Sequence, residues 1–230
     1  MKTPLRTILA NIRNLQPESA ERVLNETIEQ QSKEYAELLF NLSKVQLARA
    51  LDVSEKERKP LLKRAKKTIK RALKIETTGD CLALKARILG HQISITGNWK
   101  IKIQKALQVK DLLDRLEQIE ITHEDYYLIR GMLLLSASSV PEFAQFLINW
   151  FCNSRIKALI NASSYEKALQ CLLKYKKSTM EANFFIMICY LKMHQRKQAE
   201  ERHKLMKKMV AANLYEKELL VKARKELAKT

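Results

Sequence analysis

Amphipathic helical segments follow one another along most of the sequence, and this pattern limits the fold more than any other feature. Near residues 33–52, apolar side chains recur at the i, i+3, i+4 and i+7 spacing of one helix face. These residues are Tyr35, Leu38, Leu39, Leu42 and Val45. Only four Gly and four Pro interrupt the 230 residues, fewer than sheet proteins and nucleotide-binding α/β folds need for their turns. The sequence therefore predicts an all-α fold.

The spacing and the breaks predict an α-solenoid of about ten helices in antiparallel hairpins, with a right-handed superhelix. Pro17 is expected to open a first helix, Pro60 a later one, and Thr122 to cap another, with Asp125 in its first turn. The main predicted ranges are 33–52, 60–75, 80–96, 99–120, 122–138, 140–160, 164–177, 180–193, 195–211 and 213–229.

A short signature occurs twice, 31 residues apart. Ser164–Leu169 resembles the second helix of a tetratricopeptide repeat, and Gln195–Glu200 repeats it, which places Ala168 and Ala199 where two helices approach closely. Ala65 and Ala72 match the two small positions of such a helix. We expect residues 1–32 to form an N-terminal helical segment and residues 33–230 a tetratricopeptide-like domain with a C-terminal capping helix. An irregular helical bundle is the alternative.

Motifs for catalysis or for cofactor binding are not found in the sequence. The glycines form no phosphate-binding loop, and the histidines His91, His123, His194 and His203 lack zinc-ligand spacing. No two of the cysteines Cys81, Cys152, Cys171 and Cys189 have the C-x-x-C spacing. We therefore expect a non-enzymatic protein without metal or cofactor, whose thiols are reduced core side chains in the cytoplasm.

Net charge indicates what kind of partner this chain attracts. Lys and Arg total 43 against 25 Asp and Glu, which gives a formal charge of +18. A protein with this balance is drawn to polyanions, which are nucleic acids, acidic membranes or acidic protein surfaces.

The basic excess is concentrated in the segment 56–74, which covers most of the predicted helix 60–75 and in which Glu57 is the only acidic residue. At 100° per residue its apolar side chains fall within an arc of about 120°, and the cations from Lys59 onward fall on the other side. We call these cations the basic ridge. They are Lys59, Lys63, Arg64, Lys66, Lys67, Lys70, Arg71 and Lys74.

The basic ridge can be a binding surface or simply a solvated helix face. Solvated helices usually interleave Glu with Lys at i, i+4, whereas here like charges repel and destabilise the helix, which favours a compensating partner. A secondary basic group is the other candidate, although Glu200 and Glu201 interrupt it. It comprises Arg196, Lys197, Lys204, Lys207 and Lys208.

Several short stretches, in order, resemble the regulator of microtubule dynamics family over roughly residues 35–228. They are Ala83–Gly90 with Gly97 and Lys100-Ile101, the helix through Lys110, Asp125–Leu128 with Gly131, Ala162–Leu169, and Cys189–Lys192 followed by the last long helix. The chain departs from the family where an aromatic is expected shortly before Gly90, since Leu84, Ile88 and Leu89 stand there, and its helix 58–75 is more basic.

This resemblance implies a tetratricopeptide-like helical domain, association with tubulin and microtubules, and a role at the mitotic spindle. It predicts a cytoplasmic protein at the cytoskeleton, the spindle and the spindle poles. Tubulin's outer surface and its C-terminal tails are acidic, so the basic ridge and the secondary basic group are the candidate contacts.

Other classes of function stay open. An anionic phospholipid could meet the lysines while an apolar helix contacts acyl chains, although that helix can equally be a buried core element. Its residues are Phe143, Phe146, Leu147, Trp150 and Phe151. Other proteins could bind the concave face of the repeats. Specific nucleic-acid binding is not expected, since the basic ridge has no interleaved aromatic side chains for base stacking.

Overall fold

A computed structural model of the protein describes residues 36–119, 123–140 and 154–229. These residues form ten helices and no strand, which confirms the all-α prediction. The helices are α1 (Ala36–Leu51), α2 (Glu55–Ile75), α3 (Gly79–Ser94), α4 (Trp99–Ile119), α5 (Tyr126–Ser138), α6 (Ser154–Asn161), α7 (Tyr165–Lys174), α8 (Met180–Lys192), α9 (Arg196–Lys208) and α10 (Leu214–Ala228).

Antiparallel hairpins organise these helices. The most extensive pairings join α1 with α2, α3 with α4, α5 with α7, and α8 with α9. The first helices of successive hairpins also touch, since α3 contacts α1 and α5, and α8 contacts α5 and α10. This is the arrangement of tetratricopeptide repeats, in which each hairpin packs on the next. The third hairpin differs because α6 lies between its two helices in the sequence.

Small residues sit where the helices come closest. Ala65 is fully buried, and the Ser43 hydroxyl donates a hydrogen bond to its carbonyl oxygen at 3.0 Å. At Gly131, an added Cβ would lie 2.6 Å from Cγ of Leu172 and 3.2 Å from the Ala168 carbonyl oxygen. Ala168, Ala199 and Ala72 have no exposed surface. The sequence-based prediction that these alanines lie at helix contacts is confirmed.

The start of α2 differs from the prediction that Pro60 opens it. The helix begins five residues earlier, at Glu55, and Pro60 lies in its second turn. The Arg58 backbone N–H donates to the Ser54 carbonyl oxygen at 3.0 Å, so a helical turn is already closed before the proline. Pro60 removes the bond to the Lys56 carbonyl oxygen, and because both residues are exposed, water can satisfy that oxygen.

The start of α5 also differs from the prediction. Asp125 precedes the helix instead of lying in its first turn, and its carboxylate lies 3.6 Å from the Arg87 guanidinium. At the start of α7, Ser164 caps the helix, since its hydroxyl accepts from the Lys167 backbone N–H at 3.2 Å. The expected segment 1–32, the cap at Thr122 and the apolar helix from Phe143 to Phe151 lie outside the described residues.

The C-terminal helix α10 packs against α8 and α9, and it also reaches the first hairpin. Arg58 on α2 donates to both carboxylate oxygens of Glu218 on α10, at 3.0 and 3.1 Å. The Leu214 backbone N–H lies 3.4 Å from the carboxylate of Asp52, the residue that follows α1. Residues 160 positions apart in the sequence are therefore held together.

Candidate polyanion-binding surface

The basic ridge follows α2 along the side that faces away from the core. Leu62, Ala65 and Ile69 are fully buried on one side of this helix, and most of the ridge lies opposite them in solvent. The exposed ridge residues are Lys59, Lys63, Arg64, Lys67, Lys70, Arg71 and Lys74. The acidic residues of α2 are confined to its first turn, so they do not offset the ridge charges.

Lys66 departs from the prediction that it lies on the outer face with the rest. It is half-buried, and its ammonium donates to the Gln108 side-chain oxygen on α4 at 3.3 Å. The reason is that α2 and α4 both pack on α3, and Lys66 lies on the flank of α2 that turns toward α4. Lys66 therefore belongs to an interhelical position rather than to the open face.

Cations from α3 and α4 join Lys66 there. Lys105 on α4 donates to the Gln92 oxygen at 2.7 Å, and the Gln92 amide donates to the Leu62 carbonyl oxygen of α2 at 3.1 Å. Because Gln92 is buried, this chain fixes Lys105 between three helices. We call the whole set the basic cluster. It comprises Lys59, Lys66 and Lys70 on α2, Lys85 on α3, and Lys105 and Arg115 on α4.

Burial and mutual repulsion act on the lysines of the basic cluster. Burial lowers the pKa of Lys66, and the charge of Lys70 lowers it further. Burial also lowers the pKa of Lys85, with added repulsion from Lys66, Arg115 and Lys70. Lys105 follows the same pattern, since its pKa is lowered first by burial and then by Lys66 and Lys59. Both causes disfavour the charged amines.

Carboxylates close to the basic cluster are engaged with other cations. On α4, Asp114 pairs with Lys110 at 2.6 Å, Glu117 faces Arg130 at 3.6 Å, and Asp111 pairs with Arg155. Within the described residues, no carboxylate forms an ion pair with Lys66, Lys85 or Lys105. The basic cluster is thus a region of uncompensated positive charge that spans three helices.

The secondary basic group lies on a different hairpin. Its helix, α9, packs against α8 and α10, whereas α2 packs against α1 and α3. All five of its cations are exposed, and Arg196 pairs with Glu200 at 3.0 Å. The structure therefore does not join the secondary basic group to the basic ridge.

A second charged region is internal and fully paired. Glu181 on α8 accepts from the Tyr215 hydroxyl at 3.1 Å and from Arg87 at 3.2 Å. Burial lowers the pKa of Arg87, but Glu181 and Asp125 outweigh it, so the net shift is upward. Burial lowers the pKa of His91 to about 4, and its ring lies edge-on to Tyr215 at 5.0 Å between centroids.

This internal network borders a cavity of about 100 Å³ between α3, α5 and α8, lined mainly by apolar side chains such as Met132 and Phe185. Its polar groups satisfy one another. Residues 36–119, 123–140 and 154–229 contain no group of three or more His, Cys, Asp or Glu side chains that could hold a metal ion. None of the described helices is both long and apolar enough to span a bilayer.

The sequence also matches a known protein family. A family model described as regulator of microtubule dynamics protein 1-3 matches residues 8–230. The chain belongs to this family. The resemblance found in the residues is confirmed, and the match extends over nearly the whole sequence. No curated protein matches this family member significantly.

Solved structures support the fold of this regulator of microtubule dynamics family member. A thermophilic tetratricopeptide repeat protein of Thermus thermophilus shares 14% identity over 99% of this chain and 98% of its own, with a TM-score of 0.60. A tetratricopeptide repeat protein of Parabacteroides merdae shares 13% identity over 96% and 97% of the two chains, with a TM-score of 0.30 that supports no argument. The tetratricopeptide-like prediction is confirmed.

Proposed function

We propose that this protein binds the acidic outer surface of microtubules through the basic ridge, and thereby influences microtubule dynamics without catalysis. One observation carries the proposal: seven cations along one exposed helix face have no acidic residue among them after the first turn. Membership of a family named for the regulation of microtubule dynamics supplies the partner. A role in the cytoplasm, at the spindle and its poles, is part of the same proposal.

A physical route for binding follows from the geometry of α2. The helix is anchored by its buried side, so the exposed cations stand on a rigid support and need no rearrangement to meet a partner. Carboxylates on tubulin would pair with these lysines and so relieve the repulsion between them, which water alone does not do. Such attraction acts at long range and weakens as salt rises, since charges are screened over about 8 Å at physiological ionic strength.

Microtubule co-sedimentation tests the proposal. Replacing Lys63, Lys67 and Lys74 by Glu in one variant reverses three exposed ridge charges and leaves the half-buried Lys66 in place. We expect the variant to lose nearly all binding while its helical circular dichroism and its melting temperature stay near those of the wild type. The wild-type affinity should fall steadily with added salt.

The matched control reverses three exposed lysines of the secondary basic group, Lys197, Lys204 and Lys208, to Glu. Both variants have the same net charge, so a general charge effect would weaken their binding to microtubules equally. Selective loss in the ridge variant supports the proposal. Undiminished binding by the folded ridge variant, or greater loss in the control, would refute it.

A further inference from the structure

The basic cluster offers a kind of contact that the open face of α2 does not. Lys66, Lys85 and Lys105 are half-buried, and they come from three different helices. Two of them are held by glutamine oxygens, at 3.3 Å for Lys66 and 2.7 Å for Lys105. Amide oxygens hold a lysine in position but do not neutralise it. The site is therefore arranged in advance and still lacks a counter-charge.

Two arginines of this protein that are also fully or partly removed from solvent have their charge compensated by carboxylates. Arg58 and Arg87 both meet carboxylates, at 3.0 and 3.2 Å. Since burying a charge is costly unless it is paired, the basic cluster has an energetic deficit that an incoming anion can remove. The acids of α4 cannot remove it, because they pair with Lys110, Arg130 and Arg155.

We propose that the basic cluster binds a flexible, glutamate-rich peptide segment, and that in the cell this segment is the acidic C-terminal tail of tubulin. The inference rests on the proposed function. It assigns the tail to the basic cluster, while the ridge cations outside the cluster meet the body of the lattice. These cations are Lys63, Arg64, Lys67, Arg71 and Lys74.

An extended chain advances about 3.3 Å per residue, and a helix rises about 6 Å between lysines four apart. Lys59 and Lys66 are seven residues apart, about 10.5 Å, which three extended peptide residues span, and two residues span the step from Lys66 to Lys70. Carboxylates three and then two peptide positions apart can therefore follow Lys59, Lys66 and Lys70.

Chemistry favours a carboxylate peptide over a nucleic acid. Five of the six cations are lysines, which act as point charges and lack the planar fork with which arginine binds phosphate in two places. Residues 56–75 of the ridge helix contain no Phe, Tyr or Trp on which a base could stack. A disordered acidic tail can still adapt to cations on three helices, since it orders only on binding.

Direct binding of a short poly-glutamate peptide tests the inference without microtubules. The test variant replaces Lys66, Lys85 and Lys105 by Gln, which keeps a hydrogen-bonding side chain at each position. The control replaces Lys192, Lys217 and Lys222 by Gln, three exposed lysines outside both basic groups. We expect the test variant to bind the peptide about tenfold more weakly than the wild type, and the control within about twofold.

Lysine acylation read by mass spectrometry adds a positional measurement on the wild-type protein. The peptide should protect Lys66, Lys85 and Lys105 from the reagent and leave Lys197 and Lys222 labelled. Equal protection at all five, or equal peptide binding by the test variant and the wild type, would overturn the inference. So would single-stranded RNA or anionic vesicles that bind through the same three lysines more tightly than the peptide does.

Microtubules with and without their tails separate this inference from the proposed function. We expect the wild type to bind intact microtubules several-fold more tightly than tail-cleaved ones, and the test variant to bind both alike. If the wild type binds both alike, the tail assignment is wrong while ridge binding stands. If the wild type binds neither, the proposed function is wrong, and the peptide measurements alone decide what the basic cluster binds.

Discussion

Two groups of cations lie near the core of this protein, and only one of them is paired with carboxylates in the part of the chain that the structure describes. Arg58 and Arg87 form ion pairs, whereas Lys66, Lys85 and Lys105 form none within the described residues. Arg58 is 2% exposed, meets Glu218 with two hydrogen bonds, and donates to the carbonyls of Ala50 and Val53 at 3.0 Å. The three lysines meet glutamine oxygens and one another's charges. The first arrangement stabilises the fold, and the second destabilises it slightly and leaves charge for a partner.

The largest expected change in stability comes from breaking the ion pair between Arg58 and Glu218. Replacing Arg58 by Ala removes five hydrogen-bond and ring contacts. It leaves Glu218, the Ala50 carbonyl at the end of α1 and the Val53 carbonyl in the following turn without their donor. We expect the free energy of unfolding to fall by about 3–5 kcal/mol. Urea unfolding followed by circular dichroism measures this. A loss below about 1 kcal/mol would show that the pairing does not stabilise the fold.

Stability should also depend on pH, because His91 is buried within the internal charged network. The folded-state pKa of His91 is about 4, below its ordinary value of 6.5, so the unfolded chain binds a proton more readily. Stability is therefore full above pH 6.5 and is lost as the pH falls. We expect His91 to account for a loss of about 2 kcal/mol between pH 7 and pH 5.

Urea unfolding at both pH values, for the wild type and for His91→Gln, measures that contribution. The variant should lose much less stability over this interval. His203→Gln is the control, because the pKa of His203 is also lowered by burial and by Lys207 and Arg224, but its ring is only partly buried. Identical pH profiles for the wild type and His91→Gln would contradict the prediction.

Removing charge from the basic cluster should have a smaller effect of the opposite sign. In the variant with Lys66, Lys85 and Lys105 replaced by Gln, we expect the free energy of unfolding to stay unchanged or to rise by up to about 1 kcal/mol. Desolvation and repulsion are relieved, while the hydrogen bonds to Gln92 and Gln108 can re-form. Thermal and urea unfolding beside the wild type measure this. A loss of more than about 1 kcal/mol would show that these lysines stabilise the fold.

Added salt gives the smallest expected effect. Screening of the lysine repulsion should raise the urea-unfolding free energy of the wild type by a few tenths of a kcal/mol between low and moderate ionic strength. The same variant should show less of this rise, because three of the repelling charges are gone. If the unfolding free energy rises equally in both proteins, the repulsion that salt screens lies outside Lys66, Lys85 and Lys105.

Sequence periodicity was enough to predict the helices, the hairpins and the buried alanines, because each depends on side chains close together in the chain. Arg58 was also within reach of such reasoning. It stands four, seven and eleven residues before Leu62, Ala65 and Ile69, on the same buried stripe. The charge count over residues 56–74 treats Arg58 as one more basic residue and does not show that it lies on the buried side.

Lys85, Lys105 and Arg115 were missed as site residues for a different physical reason. Each is one cation in an ordinary helical pattern, and only the packing of α2 and α4 on α3 brings them beside Lys66. A one-dimensional charge pattern indicates a face of one helix. It does not show which cations on separate helices converge, nor that nearby acids are already paired with other residues.

The contact between Arg58 and Glu218 affects how the helical repeats respond to mechanical force. In an open solenoid each repeat touches only its neighbours, so the array can extend like a spring and can unfold from either end. Here the last helix is fastened to the first hairpin, so stretching must first break a buried ion pair. The domain should therefore resist pulling as a closed unit, and the amide protons of α2 and α10 should exchange with solvent in a single cooperative opening.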